Sequence, residues 1–97
     1  MIKVIYNKKF IKISGHANYN KYNQDIVCAS VSSIVYTTIN GILNIKSDAI
    51  RFKDEKDMVI EIINNDEITK ILLDNMLSLL MELALQYPKN IKISKGE

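Results

Sequence analysis

The chain is short of the residues that build stapled, metal-bound or nucleotide-binding proteins. In 97 residues it holds one cysteine, one histidine, one proline, three glycines and no tryptophan. A single cysteine forms no internal disulfide, which excludes the scaffolds of small secreted proteins. One histidine and one cysteine need two carboxylates to complete a tetrahedral zinc site, and no close ligand pair appears, so no metal is expected. Gly15, Gly41 and Gly96 stand far apart, so there is no glycine-rich phosphate loop and no cofactor is expected. Charge of one sign is also scarce. Thirteen Lys and Arg against eleven Asp and Glu leave +2, too little for the basic stripe of a nucleic-acid binder. Lys8, Lys9 and Lys12 with Lys89, Lys92 and Lys95 form at most a weak basic edge; no RNA-binding signature accompanies it, and a solvated face is the reading taken. Apolar runs read as short and broken by Lys, Asp and Asn, so no membrane span is expected. The opening MIKVIYNKKF lacks the apolar core and cleavage site of a signal peptide, so a cytoplasmic protein is expected.

What is present is ordinary globular material: 47% hydrophobic and 25% charged residues, with no repeat or low-complexity segment. The length suits a single domain over 1–97. Met1 to Tyr6 reads as a strand with Ile2, Val4 and Tyr6 on one face. Asn7-Lys8-Lys9 turns the chain into a second strand from Phe10 to Ser14. From Gly15 to Gln24 no period survives, and a structureless stretch of that length is more often functional. Asp25 suits the N-cap of a helix running to about Asn44, with Val27, Val31, Ile34, Val35, Thr38, Ile42 and Ile45 at helical spacing. A second hairpin follows, Asp48 to Lys53 and Met58 to Ile63, with Ile50 and Phe52 inward. Asn64 or Asn65 then opens a second helix, Glu67 standing at the capping-box position if Asn64 is the cap. Ile68, Leu72, Met76, Leu79, Leu80 and Leu83 form its predicted stripe, and Ile71, Leu73, Leu77 and Ala84 broaden it enough to suggest self-association. Pro88 ends the helix, and Asn90 to Ser94 makes a last strand. The order β-β-α-β-β-α-β implies an α+β two-layer sandwich, two helices on one face of a mainly antiparallel sheet.

The single histidine and single cysteine flank the patternless segment: His16 follows the second strand and Cys28 falls in the first turn of the expected helix. With Asp25 as cap, the Cys28 N–H is among the unsatisfied donors of that turn. The helix dipole and a nearby imidazolium both favour a thiolate, and the Asp25 carboxylate opposes it. Residue type and spacing alone favour plainer readings. A Cys between Val27 and Ala29 is usually core filler, His16 a loop residue, Tyr19 and Tyr22 loop anchors, and Ser30, Ser32 and Ser33 helix serines bonded to preceding carbonyls.

The motifs alter that balance. Ser14-Gly15-His16-Ala17, followed after a Tyr-bearing loop by Asp25-Ile26-Val27-Cys28-Ala29-Ser30-Val31-Ser32, resembles the ribosomal-processing cysteine protease (Prp) family of bacteria, whose pattern is approximately SGHA-G, a loop, then G-DIVCAAVS. The likeness extends over essentially the whole chain. It implies Cys28 as nucleophile and His16 as general base of a dyad, with Asp25 and Ser32 ordering the site. It also implies a homodimer that removes the N-terminal extension of large-subunit ribosomal protein twenty-seven, cutting after two aromatic residues. Asn18 and Asn23 stand where the family has Gly, and Ser30 where it has Ala; Asn is the next best residue for left-handed backbone. The amides at the helix start would offer an oxyanion site. The loop 17–24 would be a substrate lid, with Gly15, Ala17, Asn18, Tyr19 and Tyr22 as contacts. Neither nucleic acid nor membrane is expected as a partner. The rival account is a ribosome-associated binding module in which Cys28 is filler or a redox-sensing thiol.

Overall fold

The computed structural model describes residues 1–15 and 22–96, with the first four helical residues, 22–25, described by backbone alone. In chain order the elements are β1 (Ile2–Tyr6), β2 (Phe10–Ser14), α1 (Tyr22–Ile45), β3 (Ile50–Asp54), β4 (Met58–Ile62), α2 (Glu67–Gln86) and β5 (Ile91–Lys95). The order matches the one expected, and so does the α+β class.

Five strands form one sheet in the order β3-β4-β2-β1-β5. The β1–β2, β2–β4 and β3–β4 pairs are antiparallel, and β5 lies parallel to β1, so the sheet is mixed with one parallel pair. Register explains its two faces. Val4 opposes Ile13 and Ile93, Ile11 opposes Ile60, and Ile60 opposes Phe52, so one face is apolar from edge to edge. The other carries Lys3, Lys12, Arg51, Lys53, Glu61 and Lys92. Its ion pairs, Lys12–Asp57 at 3.6 Å with Asp57 half-buried and Arg51–Glu61 at 3.7 Å with both partners exposed, lie at the surface and contribute little. The helices cover the apolar face. Val27, Val31, Val35, Ile39 and Ile42 of α1 and Leu73, Met76, Leu77 and Leu80 of α2 are buried with the inward strand residues in one core.

The first helix begins four residues earlier than an Asp25 cap implies, at Tyr22. Asp25 is its fourth residue and not its cap. An acid is favoured by the helix dipole throughout the first turn, so the same residue is compatible with either start. Residues 22–24, expected in the loop, are helical; Asn23 therefore has no left-handed role, and every described residue with positive φ is a glycine.

The second helix is capped by Asp66, whose Oδ1 accepts from the Thr69 N–H at 2.8 Å, and not by Asn64 or Asn65. Asn64 instead donates from Nδ2 to the Asp48 carbonyl at 3.2 Å. Its buried stripe is also rotated from the expected one: Thr69, Leu73, Met76, Leu77 and Leu80 point inward, while Ile68 and Leu79 are exposed. The apolar surface of this helix is wider than the face the core takes, so choosing among its leucines misplaced the stripe, although Glu67, Lys70, Asp74, Ser78 and Glu82 mark the side opposite the core. On α1 the stripe is right except at its end, where Ile45 is exposed and Ile39 is buried.

The expectation of no span-length apolar run is corrected too. Ile26–Ile45 carries no charged residue and, at mean hydropathy 1.6, is long and apolar enough by composition to cross a membrane. In the fold its buried face packs on the sheet and α2.

Candidate active site

Strand β2 delivers the chain to one end of the sheet at Ser14, and Gly15 redirects it. Gly15 has φ +82°, and a Cβ built there would stand 2.3 Å from the Met1 carbonyl oxygen. Both facts require glycine, because an L side chain is strained at that φ and the clash is with backbone. His16, Ala17, Asn18 and Tyr19 lie outside the described residues. Six residues separate Gly15 from Tyr22, so the end of β2 and the start of α1 lie within about 25 Å of each other.

Cys28 is the seventh residue of α1, in its second turn, and is 8% exposed. This corrects the placement at the helix start in one chemical respect. The orphan amides of a helix are its first four, so the Cys28 N–H belongs to the intrahelical ladder and is no oxyanion donor. Any oxyanion donors from α1 must come from the turn before it. Tyr22 and Asp25 belong to that turn and not to a loop or cap.

Helical register brings the motif positions together. Positions 25, 28 and 32 fall on one flank, and Ser32, half-buried, is one turn beyond Cys28, roughly 6 Å along the surface. Ser30, one of the plain helix serines, donates to the Ile26 carbonyl at 2.9 Å as expected of its type.

One further turn along the flank stands Tyr36, which sequence reasoning passed over. Its hydroxyl donates to Oδ2 of Asp54, and its ring meets Phe52 edge-on, centroids 5.4 Å apart at 87°. Asp54 opposes Met58, and Met58 opposes Ile13, so this contact lies at the sheet end where β2 terminates. The signal available was the i+4 succession Cys28, Ser32, Tyr36. No group of three or more His, Cys, Asp or Glu able to hold a metal exists among the described residues.

A single thiol carried on the helix that follows β2, in this topology, fits the class of cysteine proteases, and the relatives show the chain to be one. The family model described as cysteine protease Prp matches residues 1–92. The ribosomal processing cysteine protease Prp of Staphylococcus aureus is 27% identical over 86 residues, covering 84% of this chain and 81% of that protein. The protein of the same name from Mycoplasma genitalium is 26% identical over 98 residues, covering 98% and 96%. The crystal structure of the essential ribosomal processing protease Prp from S. aureus, in complex with a substrate peptide, superposes with a TM-score of 0.86 at 21% identity, covering 98% of this chain and 97% of that one. The chain belongs to the Prp family of cysteine proteases.

Proposed function

We propose that this protease removes the N-terminal extension of bacterial large-subunit ribosomal protein twenty-seven, cutting after its aromatic pair, with Cys28 as nucleophile and His16 as general base. The observation that supports it most is the position of Cys28. It is the chain's one thiol, carried on the second turn of α1, on the same flank as motif position 32 and on the helix that follows His16 in the sequence. The relatives named ribosomal processing proteases support the substrate class.

The steps follow from these groups. The Cys28 thiolate attacks the scissile carbonyl and forms a tetrahedral intermediate. His16, as imidazolium, gives its proton to the leaving amine as the C–N bond breaks. Water then attacks the thioester with His16 as base, releasing the extension and restoring the thiolate. Orphan amides of the first turn of α1 are the oxyanion donors this reading assigns. Since Asp25 does not cap α1, the capping role that competed with it falls away, and we assign it to orienting His16, with Ser32 supporting the thiol.

The protein would act in the cytoplasm as a homodimer. Ile68, Ile71, Leu79 and Leu85 of α2, together with Ile45, leave apolar surface exposed, which favours self-association.

The test is mass spectrometry of the extended N-terminal peptide incubated with wild-type protein, Cys28→Ala and His16→Ala. A single cut after the aromatic pair, absent in the first variant and strongly slowed in the second, is expected. An intact peptide with folded wild-type protein would refute the assignment.

A further inference from the structure

The sheet has a second functional-looking end. At the edge away from Gly15, the C-terminal ends of β1 and β5 and the first turns of α2 enclose an open cleft of about 390 Å³. Its floor is apolar, formed by Ile11, Ile62, Leu73 and Leu77. Its rim is cationic: Lys8, Lys70 and Lys95 stand around it with Asp74 as the one carboxylate. None of these four groups has an ion-pair partner among the described residues, although Asp74 lies one turn from Lys70. Three positive charges and one negative give the rim +2, the formal net charge of the entire chain. Cations gathered without counter-charge repel one another, and an anion placed among them removes that repulsion.

A neutral donor is held ready beside them. The Asn7 Oδ1 accepts from the Lys9 N–H at 2.7 Å and from the Phe10 N–H at 2.9 Å. Those two bonds fix the side chain of this cleft-lining residue, and its Nδ2 hydrogens have no acceptor among the described residues, so they can serve a ligand without further ordering. Tyr6, in parallel register with Lys95, adds its phenol to the lining.

We infer that this cleft binds a small organic anion, a carboxylate or phosphate monoester on an apolar body. The lysines and the Asn7 amide take the anionic head, and Ile11, Ile62, Leu73 and Leu77 take the body. The site shares no residue with the catalytic flank. Ile11, Asn7 and Lys95 lie at the strand ends opposite Ser14, so it stands or falls separately from the protease reading.

The test is a heteronuclear NMR titration of the full chain with phenyl phosphate, inorganic phosphate and benzyl alcohol. Saturable shifts at the amides of Tyr6, Asn7, Lys70 and Lys95 with phenyl phosphate are expected, with inorganic phosphate weaker and benzyl alcohol weaker still. Both lysines are exposed, so Lys70→Gln with Lys95→Gln leaves the core intact. That pair should weaken phenyl phosphate roughly tenfold or more. Absence of saturable shifts with phenyl phosphate, or undiminished binding in the double variant, would overturn the proposal. Equal affinity for inorganic phosphate would overturn the role of the apolar floor.

Discussion

Two single residues concentrate the physics of the site: Gly15, which the structure explains fully, and Cys28, whose position it corrects. Gly15 is the one described residue with φ in the left-handed region, and its missing Cβ is what lets β2 end against the Met1 carbonyl. Gly15→Ala should therefore lower stability by about 1–3 kcal/mol, read by urea unfolding, and lower cleavage by displacing the residue that follows. Unchanged stability would show that Met1 yields at no cost. For Cys28, the motif block was legible in the sequence while its place in the helix was not. An acid in the first turn and an acid at the cap look alike in one dimension, so Asp25 suggested the later start. The consequence is testable at Asp25 itself. Asp25→Asn should lower kcat and move the acidic limb of the pH–rate profile if the carboxylate orients His16, and should leave that profile in place if the residue serves only the helix dipole.

At the level of elements, the period of each helix was readable and its phase was readable for only one of them. α1 is apolar on one side and has small or polar residues on the other, so Val27, Val31, Val35 and Ile42 were placed inward from spacing alone. α2 has a polar side at Glu67, Lys70, Asp74, Ser78 and Glu82 but an apolar surface wider than the buried face, and the sheet decides which of its leucines face inward. Leu80→Ala should cost about 2–5 kcal/mol, whereas the neighbouring Leu79→Ala, at 40% exposure, should cost much less. Equal costs in chemical denaturation would contradict the assigned phase. The joint between helices was also hidden, because it depends on side chains far apart in the chain. Lys46, just past α1, places Nζ 3.3 Å from Oδ2 of Asp66, the cap of α2. The Thr69 backbone N–H foremost, and Lys46 secondarily, hold the Asp66 carboxyl below its usual value of 3.8. A lowered folded-state value means that this support is present above pH 3.8 and is lost as pH falls through the folded value. Asp66→Asn keeps a capping oxygen and removes the titration. The stability gap between wild type and variant should be constant from pH 7 to 5 and should close below pH 4; a gap unchanged at pH 3 would contradict the assignment.

For the whole molecule, alternation and punctuation revealed the element order, and hence the α+β class, but not the strand order. The parallel docking of β5 beside β1, at the far edge from β3, follows from where α2 carries the chain and from the match of Ile91 with Ile2 and Ile93 with Val4. That docking also makes the cationic cleft, since Lys95 joins Lys8 and Lys70 only once β5 is in place. The weak basic edge seen in the sequence thus divides. Lys12 and Lys92 face outward on the sheet and Lys8 and Lys95 line the cleft. The exposed apolar residues of α2 support the proposed homodimer. Ile71, 58% exposed, can be replaced by Glu without entering the core. Ile71→Glu should shift sedimentation from dimer toward monomer at unchanged thermal stability of the fold, and a wild-type protein that sediments as a monomer would remove the homodimer from the account. The measurement that reaches the central claim most directly is the intact mass of the enzyme, quenched in acid during turnover of the extended ribosomal peptide. The account predicts an added mass equal to the released extension less one water, mapped to a thioester on Cys28 and absent from Cys28→Ala. Cleavage that proceeds in Cys28→Ala, or an acyl group found on any other residue, would contradict it.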